Sequence, residues 1–459
     1  MHLADLIERR SSSRTVGVML PTGAAFPMAA LAGWMLGRVV VPLNYLLKED
    51  ELNDVIEDCE TDVVLTASPL LQFLGYTPRV RRLIAIDELG PDAFRGVPEP
   101  RLPRAAAPDD LAVLLYTSGT TGRPKGAMLT HANLTANIRQ CREWIHFDHH
   151  DRILGVLPQF HSFGLTVLTL LPLTAGLTVV YTARFVPAKI LHLLREHRPT
   201  MFIAIPSMYG ALLHAKSARR EDFASLRIVV SGGEPLPTSI AEGFYERFGV
   251  RINEGFGMTE TAPVTHWCRP GEYRPRSVGM PLPCVEQRIV DINTSRDLPP
   301  GEEGELRLRG PNVMRGYFKR PEETARMFDE RGWLRTGDMA RIDRDGFLSI
   351  TGRLKEMLIV GGENVFPREI EEALESHPSV AAAGVVGAHD DIRGEIPVAF
   401  VELREGAAFD ERALQAWCRE RLAGYKVPRE VRALDALPRN PTGKLLRREL
   451  QKMLAASPA

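Results

Sequence analysis

Short apolar runs bounded by polar turns alternate with amphipathic stretches along most of the chain. Within residues 17–85, Val39-Val-Val-Pro42 reads as a strand and Lys48–Glu57 as an amphipathic helix with its acids outward. Phe26 to Leu43 is the most apolar early segment, but Pro27, Arg38 and Pro42 interrupt it. A buried helix running into a strand is expected there, not a membrane span. Gly90 to Asp110, rich in Pro, Ala and charge, reads as a surface linker. Leu111–Tyr116 then looks like a buried strand that stops at a loop of Ser, Gly and Thr. Arg152–Leu157, Leu177–Tyr181, Thr200–Ile205 and Arg227–Val230 are strand-like, with helical segments such as Pro187–His197 between them. Alternation of this kind predicts α/β layers with largely parallel sheets.

The pattern changes after residue 285. Val285–Asp291, Gly304–Gly310 and Gly346–Thr351 read as strands of a β-rich subdomain with Gly/Pro turns. Beyond Gly352 the chain becomes a compact α+β unit. Pro367 opens a helix, Arg368–Ser376, whose first-turn acids suit the helix dipole, and Pro378 ends it. Strands are expected at Val380–Val386 and Pro397–Leu403, and a helix at Glu411–Leu422. The expected fold is therefore α/β: layered α/β subdomains and a β-rich subdomain within 1–353, then a small α+β domain over 354–459.

Length and composition narrow the function. A chain of 459 residues, 44% apolar, can bury more than one core. Lys plus Arg number 57 against 58 Asp plus Glu, so no basic footprint for nucleic acid or an anionic membrane exists. The five cysteines (Cys59, Cys141, Cys268, Cys284, Cys418) are scattered, without a Cys-x-x-Cys pair. That spacing suits neither a disulfide framework nor a zinc site and fits a reducing cytoplasm. The first ten residues carry charge too early for a signal peptide, so a cytoplasmic protein without an integral membrane segment is expected. A homodimer is left open.

The most specific feature is Tyr116-Thr-Ser-Gly-Thr-Thr-Gly-Arg-Pro-Lys-Gly126. Hydroxyls of Thr117, Ser118, Thr120 and Thr121, close backbone approach at Gly119 and Gly122, and the charge of Lys125 together suit a polyphosphate. A Walker loop needs four residues between its glycines and Lys-Ser/Thr after the second, and neither condition holds here. A further set of glycine-rich or polar motifs follows: Ser231-Gly-Gly-Glu-Pro235, Asn253-Glu-Gly-Phe-Gly-Met-Thr-Glu-Thr261, Trp333-Leu-Arg-Thr-Gly-Asp338, Ile350-Thr-Gly-Arg353 and Leu437-Pro-Arg-Asn-Pro-Thr-Gly-Lys-Leu445. Glycines after buried strands mark places where a flat ligand lies against backbone.

Taken in this order, over roughly residues 15 to 450, these motifs resemble the adenylate-forming superfamily of acyl-CoA synthetases, luciferases and peptide-synthetase adenylation domains. The resemblance implies ATP, Mg²⁺ and coenzyme A as small-molecule partners of a carboxylic acid. It implies that Gly232, Gly233, Glu234, Asn253, Gly255, Phe256 and Gly257 enclose the adenine, with Phe256 on the ring where tyrosine is more usual. Thr259 would bind the α-phosphate, Glu260 the Mg²⁺, and Asp338 the ribose hydroxyls with help from Arg353. Lys444, on the small mobile domain, would reach the substrate carboxylate and the α-phosphate. A cation aimed at charge developing between two anions lowers the barrier to their reaction. A hinge at Lys355 would later withdraw Lys444 and bring Gly361 and Gly362 over the acyl carbonyl. Lys426, in Tyr425-Lys-Val-Pro428, would lie near the CoA phosphates.

Leu157-Pro-Gln-Phe-His-Ser-Phe-Gly164 matches the family's acyl-pocket segment. Relatives that take α-amino acids usually hold an aspartate there to pair with the ammonium. This chain has His161, which cannot compensate for desolvating an ammonium ion. Phe163, Ala262, Pro263 and Val264 suggest an apolar pocket, hence a fatty or aryl acid. His161 reads either as a pocket group or as a satisfied core histidine. Two departures stand out: a shorter N-terminal region than most relatives, and Glu234 where a small residue is commoner. An acyl-CoA ligase is the favoured reading. An acyl-AMP ligase loading carrier-protein phosphopantetheine and a catalytically silent ligand-binding relative are the alternatives.

Overall fold

The computed structural model describes residues 1–90, 97, 98, 100, 102–117, 124–439 and 443–456. Runs such as Thr15–Val18, Val63–Thr66, Met201–Ala204 and Ile228–Ser231 are buried at every position. Strands without a polar face need cover on both sides, which parallel sheets flanked by helices provide. The first sheet has six strands in the order Arg82–Ala85, Val63–Thr66, Thr15–Val18, Val39–Pro42, Leu111–Thr117 and Lys125–Thr130. Its pairings are parallel except the last, which is an antiparallel hairpin. The second has seven, in the order Met280–Pro281, Val264–Trp267, Asn253–Gly257, Ile228–Ser231, Met201–Ala204, Arg152–Gly155 and Thr178–Tyr181. Its first two pairings are antiparallel and the rest parallel.

The change of pattern after residue 285 corresponds to an antiparallel four-stranded sheet of Glu286–Val290, Gly304–Arg309, Leu334–Ile342 and Leu348–Arg353. A last sheet holds Glu363–Val365, Leu358–Val360, Gly394–Leu403, Val380–Asp390 and Glu430–Leu434. It has its own core around Ile370, Leu374, Val385, Val401 and Cys418, so the small C-terminal unit packs as a body. Pro187, Pro206, Pro321 and Pro367 each open a helix, where a missing N–H costs nothing.

Lys125, at the end of the phosphate loop, begins a strand that returns along Leu111–Thr117. One element differs from expectation. Asn253–Gly257 is itself a strand, with its glycines inside the sheet, and does not follow one. The long helix His131–Trp144 is capped reciprocally. Thr130 Oγ1 accepts from the Asn133 N–H at 3.1 Å, and Asn133 Oδ1 accepts from the Thr130 N–H at 3.0 Å. The Phe26–Leu43 segment is a helix, Ala25–Met35, leading into the strand Val39–Pro42, as its interruptions suggested.

The second sheet is fastened by one buried charge. Asp151 is 2% exposed, accepts from Thr200 Oγ1 at 2.6 Å, and pairs with Arg227, whose Nε lies 2.8 Å from Oδ1. Burial alone would raise the Asp151 pKa, but Arg227, Thr200 and a backbone N–H outweigh it and hold it below the usual range. Arg227→Met removes one partner and leaves that carboxylate buried without its cation. The variant should lose about 3 kcal/mol of stability, read by denaturant titration, and a loss below about 1 kcal/mol would contradict the fastening role.

Candidate active site

Three parallel strands of the second sheet end at one edge, and the loops leaving them line one cavity of about 2190 Å³. Arg152–Gly155 leads to His161 and Phe163, Met201–Ala204 to Ile205 and Ser207, and Ile228–Ser231 to Gly232, Gly233 and Glu234. Carboxyl ends of parallel strands are where such sheets bind ligands. The first sheet adds Thr117 and Lys125, the neighbouring strand adds Gly255, Phe256 and Gly257, and the turn after it adds Thr259 and Glu260. Arg353, Lys355 and Lys444 complete the wall.

Other residues singled out in the sequence lie elsewhere. Ser118, Gly119, Thr120, Thr121 and Gly122 fall outside the described residues. Asn253 is 5% exposed and does not line the cavity, and its Oδ1 has no hydrogen-bond partner among the described residues. Asp338 is likewise buried, behind the lining residues Thr336 and Gly337. Gly361 and Gly362 sit exposed in the turn between Leu358–Val360 and Glu363–Val365, away from the cavity. Lys426 is also outside it, its Nζ paired with Glu369 at 2.7 Å.

The acidic end of the site is tightly held. Glu260 Oε1 accepts from the Tyr317 hydroxyl at 2.6 Å, and its carbonyl accepts from the Met314 N–H at 2.8 Å. Thr259 Oγ1 lies 3.3 Å from Ser162 Oγ. Lys125 pairs with Glu323, its Nζ 5.6 Å from the Tyr317 ring centre. Tyr317 and Glu323 carried no sequence signal, since nothing local marks a tyrosine 57 residues beyond the glutamate it orients.

Asp338 and Arg353 face each other in register across adjacent strands, with Arg353 Nε 3.0 Å from Asp338 Oδ1. Burial raises the Asp338 pKa, and Arg353 and Lys444 oppose the rise. Lys444 is pushed down to about 8, first by burial and then by the Arg353 and Lys355 cations, against Glu356 and Asp338. His161 opens onto the cavity but is enclosed by protein on its other sides. Burial, and then Lys444, lower its imidazole to about 4, so it is neutral at pH 7. The Phe163 N–H donates to His161 Nδ1 at 3.3 Å, which puts the ring proton on Nε2. Burial also raises the carboxyl of Glu234, opposed by Arg439 and Lys444.

Two glycines set the closeness of these walls. A Cβ on Gly257 would lie 2.1 Å from the Pro263 carbonyl oxygen, so only glycine lets the Phe256 strand meet its neighbour there. Gly443, at φ +94°, brings the Lys444 segment against the large part of the chain. A Cβ there would sit 3.0 Å from Ile205 and 3.2 Å from Ser207 Oγ. The site is therefore a cation-rich cleft with one tethered carboxylate at Glu260 and apolar walls at Phe163, Met208, Val230, Val264 and Trp267.

Residues 4–318 match the AMP-binding enzyme family and residues 369–444 match the AMP-binding enzyme C-terminal domain. A long-chain-fatty-acid–CoA ligase of Bacillus subtilis (strain 168) is 34% identical over 480 residues, covering 95% of this chain and 84% of the ligase. A feruloyl-CoA synthase of Amycolatopsis sp is 37% identical over 441 residues, covering 95% of this chain and 88% of the synthase. The crystal structure of ATP-bound MatB from Rhodopseudomonas palustris superposes with a TM-score of 0.91 at 32% identity, covering 99% of this chain and 92% of MatB.

Proposed function

The chain belongs to the AMP-binding enzyme family, and relatives similar to it are named as CoA ligases; we propose that it activates an apolar carboxylic acid with ATP and transfers the acyl group to coenzyme A. The observation that carries this reading is the convergence of Lys444, Arg353 and Lys355 on one wall of a cavity whose other wall holds Lys125, Thr259 and Glu260. A lysine whose pKa is lowered first by burial and then by neighbouring cations is placed for anions that are not part of the protein.

In the first step a carboxylate oxygen of the acid attacks the α-phosphorus of ATP. The bond to pyrophosphate breaks, and an acyl-adenylate forms. Lys444 stabilises the charge that builds where the two anions meet, without transferring a proton. Phe256 stacks on the adenine, and Gly232, Gly233, Glu234, Gly255 and Gly257 frame it. Asp338 accepts from the ribose hydroxyls, with Arg353 beside it. Thr117, Lys125 and the loop 118–122 hold the phosphates. Thr259 contacts the α-phosphate, and Glu260 would supply the carboxylate oxygens that hold Mg²⁺, an ion that when bound would neutralise phosphate charge. Tyr317 takes one Glu260 oxygen and so fixes how the carboxylate is presented.

In the second step the CoA sulfur attacks the acyl carbonyl, and AMP leaves with the bonding electrons. Lys444 occupies the cavity while Gly361 and Gly362 stand exposed outside it, so one arrangement cannot serve both steps. A rotation at Lys355 exchanges them and carries Lys426, with its Glu369 partner on the same unit, toward a CoA phosphate. Two relatives act, by name, on a long-chain fatty acid and on ferulate, so family membership alone does not fix the acid. The apolar walls and a neutral His161 favour a fatty or aryl acid over an α-amino acid.

The function is tested with a panel of fatty, aryl, dicarboxylic and α-amino acids, following pyrophosphate and AMP with and without CoA. Apolar acids should give the fastest CoA-dependent AMP release, abolished by excess chelator. Preference for an α-amino acid, or no pyrophosphate with any acid, would overturn the proposal.

Lys444→Ala should slow adenylate formation by on the order of 10²- to 10³-fold and spare thioester formation from supplied acyl-adenylate. Because the Lys444 ammonium titrates near 8, its charge is present below that pH and lost above it. The kcat/KM for adenylation should therefore fall as pH rises through about 8, and a flat profile to about pH 9.5 would contradict the assignment. Lys355→Pro fixes φ and removes an N–H. Pyrophosphate should still form at a near-normal rate in that variant while the CoA step stalls, and an unaffected CoA step would rule out the two arrangements.

A further inference from the structure

Lys444 is followed three residues later by Arg447, the first residue of the helix Arg447–Ala456. Arg447 Nε lies 2.9 Å from Glu356 Oε2, and its Nη2 lies 3.0 Å from Glu371 Oε2, with Nη1 on the other Glu371 oxygen. Glu356 closes the turn Leu354–Glu356, next to Lys355. Glu371 belongs to the helix Pro367–Glu375, and its Oε1 also accepts from the Val385 N–H at 2.7 Å. The three side chains are mostly buried, at 23%, 24% and 11% exposure. One guanidinium thus spans the turn at the proposed hinge, a helix and a strand of the small unit.

Apolar packing holds the same segment from beneath. Leu450 is fully buried, and a Cβ on Gly384 would fall 2.7 Å from Leu450 and 2.9 Å from Leu445. Packing fixes how deep the segment sits, but apolar contacts alone allow it to slide. A planar two-carboxylate clamp does not.

We propose that Arg447 is a positioning residue for the adenylating lysine: by clamping Glu356 to Glu371 it fixes the Lys444 segment to Glu356, the residue just beyond the hinge, and to the helix Pro367–Glu375. A rotation at Lys355 then carries Lys444 into or out of the cavity without loss of aim. This inference rests on the adenylating role given to Lys444. It also has an electrostatic consequence. The charged and titratable groups facing Lys444 are Arg353, Lys355, Glu356, Asp338, Glu234 and His161. Glu356 divides its charge between Arg447 and Lys444, so removing Arg447 leaves more of it to Lys444.

The test measures both half-reactions, across pH, in the full chain and three variants. Arg447→Met should lower adenylation by on the order of 10- to 100-fold, the cost of misplacing a reacting group by about an ångström. Thioester formation from supplied acyl-adenylate should stay within about two-fold, because Lys444 is withdrawn in that step. The alkaline limb of adenylation should move to higher pH in Arg447→Met and to lower pH in Glu356→Gln, since the second removes an anion beside Lys444. A charge effect alone would move the limbs and leave the rate below the limb unchanged, so the drop in adenylation below the limb is what reads the clamp. If the Met variant does not fold, Glu356→Gln carries the test, because it leaves the Arg447–Glu371 pair in place. Equal loss in both half-reactions, or unmoved limbs, overturns the proposal. Lys444→Ala run alongside separates the two readings. Adenylation lost there but intact in Arg447→Met overturns the clamp alone, and adenylation intact in Lys444→Ala overturns the role of the lysine and the clamp with it.

Discussion

Asp338 is buried on one strand in register with Arg353 on the next, and the ion pair between them ends the four-stranded sheet at the mouth of the cavity. A carboxylate 4% exposed needs a cation, so the pair pins Arg353 even though the arginine itself is 40% exposed. From there the geometry follows. Arg353 is the last strand residue before the Leu354–Glu356 turn, so its position sets where Lys355 and Glu356 begin. Burial, and then Arg353 and Lys355, depress Lys444, and Glu356 ties Lys444's own segment through Arg447. Cations share a half-desolvated space because each has a carboxylate behind it: Asp338 behind Arg353, Glu356 and Glu371 behind Arg447.

This arrangement explains how a cleft can attract polyphosphate without collapsing onto its own acids. Paired one-to-one, lysine and glutamate would leave no field for a ligand. Here Asp338, Glu356 and Glu371 lie behind the cations, Glu323 pairs with Lys125 at the cavity wall, and Glu260, which also faces the cavity, is held by the Tyr317 hydroxyl and by the backbone through Met314. Its charge is thus presented in a fixed place, as a cation bridging phosphates requires. Glu234 is a further acid on the cavity wall, on the large part, and the opposing charges that act on it, Arg439 and Lys444, belong to the small one.

Much of the architecture was legible because burial leaves a period in the sequence. Uninterrupted apolar runs marked the parallel strands, and Pro187 and Pro367 marked helix starts within a residue. What the pattern could not show was direction. Lys125–Thr130 is a strand returning along its predecessor, yet Lys-Gly-Ala-Met-Leu-Thr has no alternation to separate it from a helix start. The glycines of Asn253–Gly257 read as loop because glycine disfavours strands in general. Gly257 is there because the Pro263 carbonyl comes so close. Thr117, Lys125, Gly232, Phe256, Thr259, Glu260, Arg353 and Lys444 line one cavity, whereas Asn253, Asp338, Gly361, Gly362 and Lys426 do not, and the partners Tyr317, Glu323, Glu356 and Arg447 were missed. Those partners are set by tertiary neighbours far away in sequence, and an arginine or tyrosine alone has no spacing to read.

The groups left outside the cavity are informative about the cycle. In the arrangement described, Lys426 is neutralised by Glu369, and the turn at Gly361 and Gly362 faces open space with no atom near either missing Cβ. A surface awaiting a later partner must be stable without it. An ammonium paired on its own unit meets that condition, and so does a glycine turn with nothing to pack against. The contacts of Lys444 are the reverse: Gly443 is pressed against Ile205 and Ser207 of the large part, and Glu234 draws the lysine across. The Gly443 and Lys444 contacts thus join the two parts on the face proposed for adenylation, while the groups proposed for thioester formation are satisfied on their own unit. The free unit should therefore rest in the adenylating arrangement. Filling the cavity with an adenylate, whose charge is smaller than that of ATP, weakens the attraction for Lys444 and lets the small unit turn.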